Sequence, residues 1–94
     1  MAVTVRIPSA LRTEAGAETS VQIGAPADAT LRAVLDGVAA RWPRLDRRLR
    51  DEQGELRRFI NVYVEGEECR LLSGLDTPIP DRSEVLIVPS VAGG

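Results

Sequence analysis

The 94-residue sequence contains no histidine, one cysteine, one tryptophan and only 3% aromatic residues. Without histidine it lacks the commonest general base and metal ligand at neutral pH. A single cysteine, Cys69, excludes an internal disulfide, a cysteine zinc cage and an iron–sulfur centre. Cys69 sits in "EGEECRLL" and reads as a partly buried small hydrophobe, with no neighbour that argues for a redox or nucleophilic role. Lysine is also absent, and all 12 basic residues are arginine. The chain therefore offers no side-chain amine to accept an acyl group from another copy of itself, although a GC-rich genome explains arginine-only usage at least as well. No apolar run reaches bilayer length, and "MAVTVRIPSALR" lacks the basic and apolar regions of a signal peptide, so a cytoplasmic protein is expected. A formal charge of -2 gives no expectation of nucleic acid or membrane as partner. These absences point away from an enzyme and predict no catalytic residue, metal or cofactor.

What is present is patterned for one domain. "VTVRIP" alternates, with Val3, Val5 and Ile7 on one face, and "TSVQIG" repeats the pattern with Val21 and Ile23. The polar stretch between them, with Gly16, predicts a hairpin with a longish loop. "ADATLRAVLDGVAARWP" is the strong helix: Leu31, Val34, Leu35, Val38 and Trp42 form one stripe of a 3.6-residue period. Asp28 or Thr30 is expected to cap it and Pro43 to end it. "RLDRRLRDEQGEL" predicts at most one helical turn carrying Leu45 and Leu49, then a loop through Gly54. "RRFINVYVEGEECRLL" predicts two strands around Glu65 and Gly66, and "SEVLIVP" predicts a last strand. One amphipathic helix covering the apolar face of one sheet gives a two-layer α+β domain, and this order describes a β-grasp. Inward positions are Val3, Val5, Ile7, Val21, Ile23, Ile60, Val62, Val64, Val85 and Ile87. The other face carries Phe59, Tyr63, Leu86 and Val88, with no second long helix to cover it. Such a patch usually binds something, unless the "RLDRRLR" segment or a loop folds over it.

Two further stretches invite a functional reading. Between Arg41 and Arg58 lie seven arginines against Asp46, Asp51, Glu52 and Glu55. This is either a solvated face laced with i,i+4 pairs or an electrostatic docking patch for an acidic partner. The sequence closes on "PSVAGG", uncharged from Ser90 onward. Bare glycines at a terminus are often simple fraying. Extended, Ser90 to Gly94 would reach roughly 17 Å, and residues without Cβ pass a narrow channel that a side chain would block.

Taken together, the β-grasp order, "VRIPSALR", "TLRAVLDGVAARWP", "RFINVYVEGE" and the terminal "VPSVAGG" resemble the ThiS/MoaD superfamily of ubiquitin-like sulfur carriers, most closely its CysO-like branch of cysteine biosynthesis. The resemblance implies a β-grasp domain over residues 1–89 and a flexible tail over 90–94. It implies that an E1-like adenylyltransferase of MoeB, ThiF or MoeZ type activates Gly94, which becomes a thiocarboxylate. Val91, Ala92, Gly93 and Gly94 would thread the partner's active site, and Phe59, Tyr63, Leu86 and Val88 would dock it. The implied sulfur acceptor is a PLP-dependent cysteine synthase or a thiosugar-type synthase, with a JAMM-type metalloprotease releasing product. A MoaD-like small subunit of molybdopterin synthase is the alternative, and a ubiquitin-type modifier a third. Because the sequence ends at Gly94, no masking peptide is expected to need removal. The "PDRSEV" turn departs from the Asp-Gly-Asp often found in the family, and Arg82 is expected there without positive φ. The segment Arg44 to Leu56 is longer than in compact MoaD-like carriers, which favours the CysO-like branch.

Overall fold

A computed structural model of the chain describes residues 1–90. Five strands form one mixed sheet: β1 (Ala2–Arg6), β2 (Ser20–Gly24), β3 (Ile60–Val64), β4 (Glu67–Glu68) and β5 (Glu84–Pro89). Their order is β2-β1-β5-β3-β4. β5 runs parallel to β1 and antiparallel to β3, while β1 and β2 are antiparallel. Helices α1 (Leu31–Arg41) and α2 (Pro43–Leu49) complete the layer that packs on the sheet. This is the ubiquitin-like β-grasp, the α+β architecture expected from the element order.

The core follows from the alternation. Every strand residue expected to face inward is buried, against Leu31, Val34, Leu35 and Val38 of α1. Each such aliphatic side chain contributes about 1.5–3 kcal/mol on leaving water. The Thr30 hydroxyl caps α1 by accepting from the Ala33 N–H at 3.4 Å, while Asp28 takes φ 65° in the preceding turn. Gly37 lets α1 lie close to the sheet: a Cβ there would stand 2.7 Å from Ile23 Cγ2. Pro43 ends α1 and also opens α2, because a proline in a first helical turn removes an N–H that had no partner. α2 is two turns rather than one, and Leu45 and Leu49 are fully buried. Trp42 falls at the junction and packs only partly against the core.

Three local expectations are corrected. The first hairpin loop is ordered as a 3-10 helix, Ser9–Ala15, which adds Leu11 and Ala15 to the core. The strand after the Glu65–Gly66 turn is only two residues long. The Glu68 carboxylate accepts from the Arg70 N–H and turns the chain into a second 3-10 helix, Cys69–Leu71. Arg82 has φ 61°, contrary to expectation. Ser83 N–H and hydroxyl both donate to Pro80 O, at 3.2 and 2.6 Å, and Arg82 N–H donates to Ala2 O at 3.0 Å. That bonding demands a left-handed residue at the third turn position, and Arg82 adopts it at a cost of about 1–2 kcal/mol.

Candidate functional site: a docking face and the root of the tail

The sheet face away from the helices is built by β3 and β5, which lie side by side. Their register sets Tyr63 opposite Leu86 and Asn61 opposite Val88. Because strand side chains alternate, burying Val62, Val85 and Ile87 inward forces these four to the other face. Leu86 is 38% exposed, and Phe59, at the entrance to β3, is 49% exposed. Tyr63 and Val88 are half-buried. Tyr63, Leu86 and Val88 therefore share one two-strand surface, and Phe59 stands exposed where β3 begins. The "RLDRRLR" segment does not cover it, since α2 packs with α1 and the Ser9–Ala15 helix in the other layer.

Polar groups border the patch. Arg6 Nε donates to Glu84 Oε2 at 2.7 Å, and Gln22 Nε2 donates to Thr4 Oγ1 at 2.7 Å. Arg70 reaches over the β4 edge and donates to Asn61 Oδ1 at 3.2 Å and to Arg57 O at 2.9 Å. An apolar centre with a polar rim is the usual anatomy of a protein interface.

The end of β5 is also tied down. Pro89 pairs opposite Ile60 and has no N–H to offer the ladder. Ser90 N–H then donates to Phe59 O at 2.6 Å, while Asn61 Nδ2 donates to Ser90 Oγ at 2.8 Å. The strand that carries Leu86 and Val88 thus runs on, under restraint, to Ser90, the last of the described residues. Alternation puts Asn61 on this face, but its hold on Ser90, a partner 29 residues away, is one that no local pattern signals. Val91, Ala92, Gly93 and Gly94 lie outside the described residues.

Other chemistry is sparse. Among the described residues no three His, Cys, Asp or Glu side chains gather to hold a metal ion. Cys69 is fully buried, and burial first, then the Glu68 charge, pushes its thiol above the ordinary range. It is neutral and enclosed, which suits packing rather than attack. No helix among the described residues is long and apolar enough to cross a membrane.

Comparison with known proteins decides the family: the model of the ThiS family matches residues 5–94. The chain belongs to the ThiS family. The sulfur carrier protein CysO of Mycobacterium tuberculosis is 44% identical over 96 residues, spanning 100% of both chains. A chain in the crystal structure of the Amycolatopsis orientalis BexX/CysO complex is similar at TM-score 0.87 and 42% identity, with 98% of this chain and 99% of that one covered. SAMP1 from Haloferax volcanii matches at TM-score 0.86 and 28% identity over 100% of both chains. Among ThiS-family members, then, the likeness to CysO runs through the β-grasp and on to the terminal glycines.

Proposed function

We propose that the protein is a cytosolic sulfur carrier and not an enzyme, with the Gly94 carboxylate as its cargo-bearing group. The observation that carries this reading is one strand, β5, which presents Leu86 and Val88 on a bare apolar face and leads directly to the root of the tail. A partner gripping that face receives the tail in a fixed direction. Full-length likeness to a protein named as a sulfur carrier supports the same reading.

The chemistry fits the tail. A terminal carboxylate with a pKa near about 3.3 is ionised and unreactive at neutral pH. Attack of the carboxylate oxygen on the α-phosphorus of ATP releases pyrophosphate and leaves an acyl adenylate. Hydrosulfide then attacks the acyl carbon through its sulfur, AMP departs with the C–O bond electrons, and loss of the S–H proton leaves the thiocarboxylate. One hard substitution is thereby split into two easier ones. The activating enzyme would be E1-like, and Phe59, Tyr63, Leu86 and Val88 its docking residues. The soft, anionic sulfur can then add to an electron-poor acceptor, either on a cysteine synthase or on an enzyme that makes a thio-metabolite. That a relative is crystallised in a BexX/CysO complex supports a dedicated protein partner for this chain too.

The docking assignment is tested by Leu86→Asp. Central apolar anchors typically cost about 2 kcal/mol or more when lost, which corresponds to a fall of about 30-fold in kcat/KM for adenylation. Pyrophosphate exchange with an E1-like enzyme measures it, with circular dichroism as the check on fold. A folded variant adenylated at the wild-type rate would move the docking site elsewhere.

A further inference from the structure

A second surface lies in the opposite layer, where the Ser9–Ala15 helix meets the junction of α1 and α2. Glu14, Arg41, Trp42, Pro43, Arg44 and Arg47 line an open groove of about 340 Å³. We propose that this groove docks an acidic peptide segment of a protein partner, independently of the sheet face and the tail. The reading of this arginine-rich stretch as a solvated face with i,i+4 pairs accounts for Arg50, which pairs with Asp46 at 2.7 Å. It does not account for the groove. Arg41, Arg44 and Arg47 make no ion pair among the described residues, in a chain whose net charge is -2. Three arginines without ion-pair partners thus line the groove beside one half-buried indole, and Arg41 stands 4.5 Å from its centroid.

Glu14, the one acid that lines the groove, is already engaged. Its Oε1 accepts from Arg48 Nη1 at 2.8 Å, but its Oε2 is buried without a hydrogen-bond partner. A peptide segment offers carboxylates for the guanidinium groups and an apolar side chain for Trp42. Inorganic phosphate brings charge for the guanidinium groups but no apolar side chain for Trp42.

Trp42 is the only tryptophan in the chain, so its fluorescence reports on this groove without labelling. The experiment titrates the full chain with the blocked peptide Asp-Glu-Leu-Asp-Glu, with the same peptide carrying arginine in place of each acid, and with inorganic phosphate. The indole N–H resonance is followed in parallel. A saturable response to the acidic peptide alone is expected, weakened severalfold near 1 M salt, where the screening length is about 3 Å. The exposed pair Arg44→Glu with Arg47→Glu should weaken binding about tenfold or more without loss of the folded circular dichroism spectrum. Arg82→Glu, at the other end of β1, should bind as wild type. An unresponsive Trp42, an equal response to the basic peptide or to phosphate, or undiminished binding by the double variant would each overturn the proposal.

Discussion

At the scale of single residues, neighbours on one strand have opposite tasks. Val62 and Tyr63 are adjacent, yet Val62 is wholly buried and Tyr63 is half-buried on the sheet face away from the helices. Val62→Asp or Val34→Asp would place an unpaired carboxylate between sheet and helix, at a cost of several kcal/mol. That is a large part of the roughly 5–15 kcal/mol that holds a domain together. Neither variant is expected to fold, and a soluble, cooperatively melting Val62→Asp protein would show that the core face is misassigned. Gly37→Ala sets two effects against each other. The helix gains about 1 kcal/mol in propensity. The new Cβ, however, would meet Ile23 Cγ2 at 2.7 Å, on a β-branched side chain with little room to yield. Overpacking of that kind costs about 1–3 kcal/mol, so the melting temperature should fall by a few degrees and not rise. Cys69→Ser should leave thiocarboxylate formation unchanged, since on the proposed mechanism the sulfur would sit on the carboxyl carbon, and the thiol is enclosed. Intact mass of the thiolated variant checks this, and loss of thiolation in a folded Cys69→Ser chain would contradict it.

At the scale of elements, Arg50 fastens α2 to α1. Its Nε donates to Asp46 at 2.7 Å and its Nη1 to Asp36 at 2.9 Å, with only 8% of the side chain exposed. Burial works to lower the pKa of this guanidinium, but the two carboxylates outweigh it and hold the group above the ordinary arginine value. Arg50→Ala should lower stability by about 2 kcal/mol, the scale of charged hydrogen bonds tempered by the exposure of Asp36. A denaturation midpoint that shifts with unchanged slope measures it. Such links explain how far the elements were legible beforehand. Strands β1, β2, β3 and β5 and helix α1 show their period directly, because each buries one face along its length. The 3-10 helices do not. Leu11 and Ala15 are buried from a stretch too short and too polar to display a repeat, and Leu75 likewise. α2 exceeded expectation because Leu45 and Leu49 find a pocket beneath it, and their tertiary packing outweighs a polar local sequence. Arg82 was misjudged because its φ answers to Ala2, Pro80 and Ser83 together, not to its own preference.

At the scale of the whole molecule, the β-grasp divides into two working sides. Helices and core occupy one, and β3 and β5 present a bare patch on the other that runs towards Ser90. The four patch residues were legible from alternation alone, whereas the Asn61–Ser90 tie and the Glu14–Trp42 groove join segments far apart in sequence and became visible only in the fold. The central claim is that position, more than chemistry, makes Gly94 the reactive residue. Deleting Gly94 would leave Gly93 with an equivalent carboxylate, but the reactive carbon would be drawn back by about 3.3 Å. A misplacement near 1 Å already costs about a hundredfold. Gly94→Ala keeps the length but adds a Cβ that a narrow partner channel would reject, so it should also fail, though less completely. The deciding measurement is intact mass after incubation with ATP, an E1-like enzyme and a sulfur source. Wild type should exchange one oxygen for sulfur, and the chain lacking Gly94 should not. Thiolation of the shortened chain as fast as wild type, or no exchange in wild type, would contradict the account.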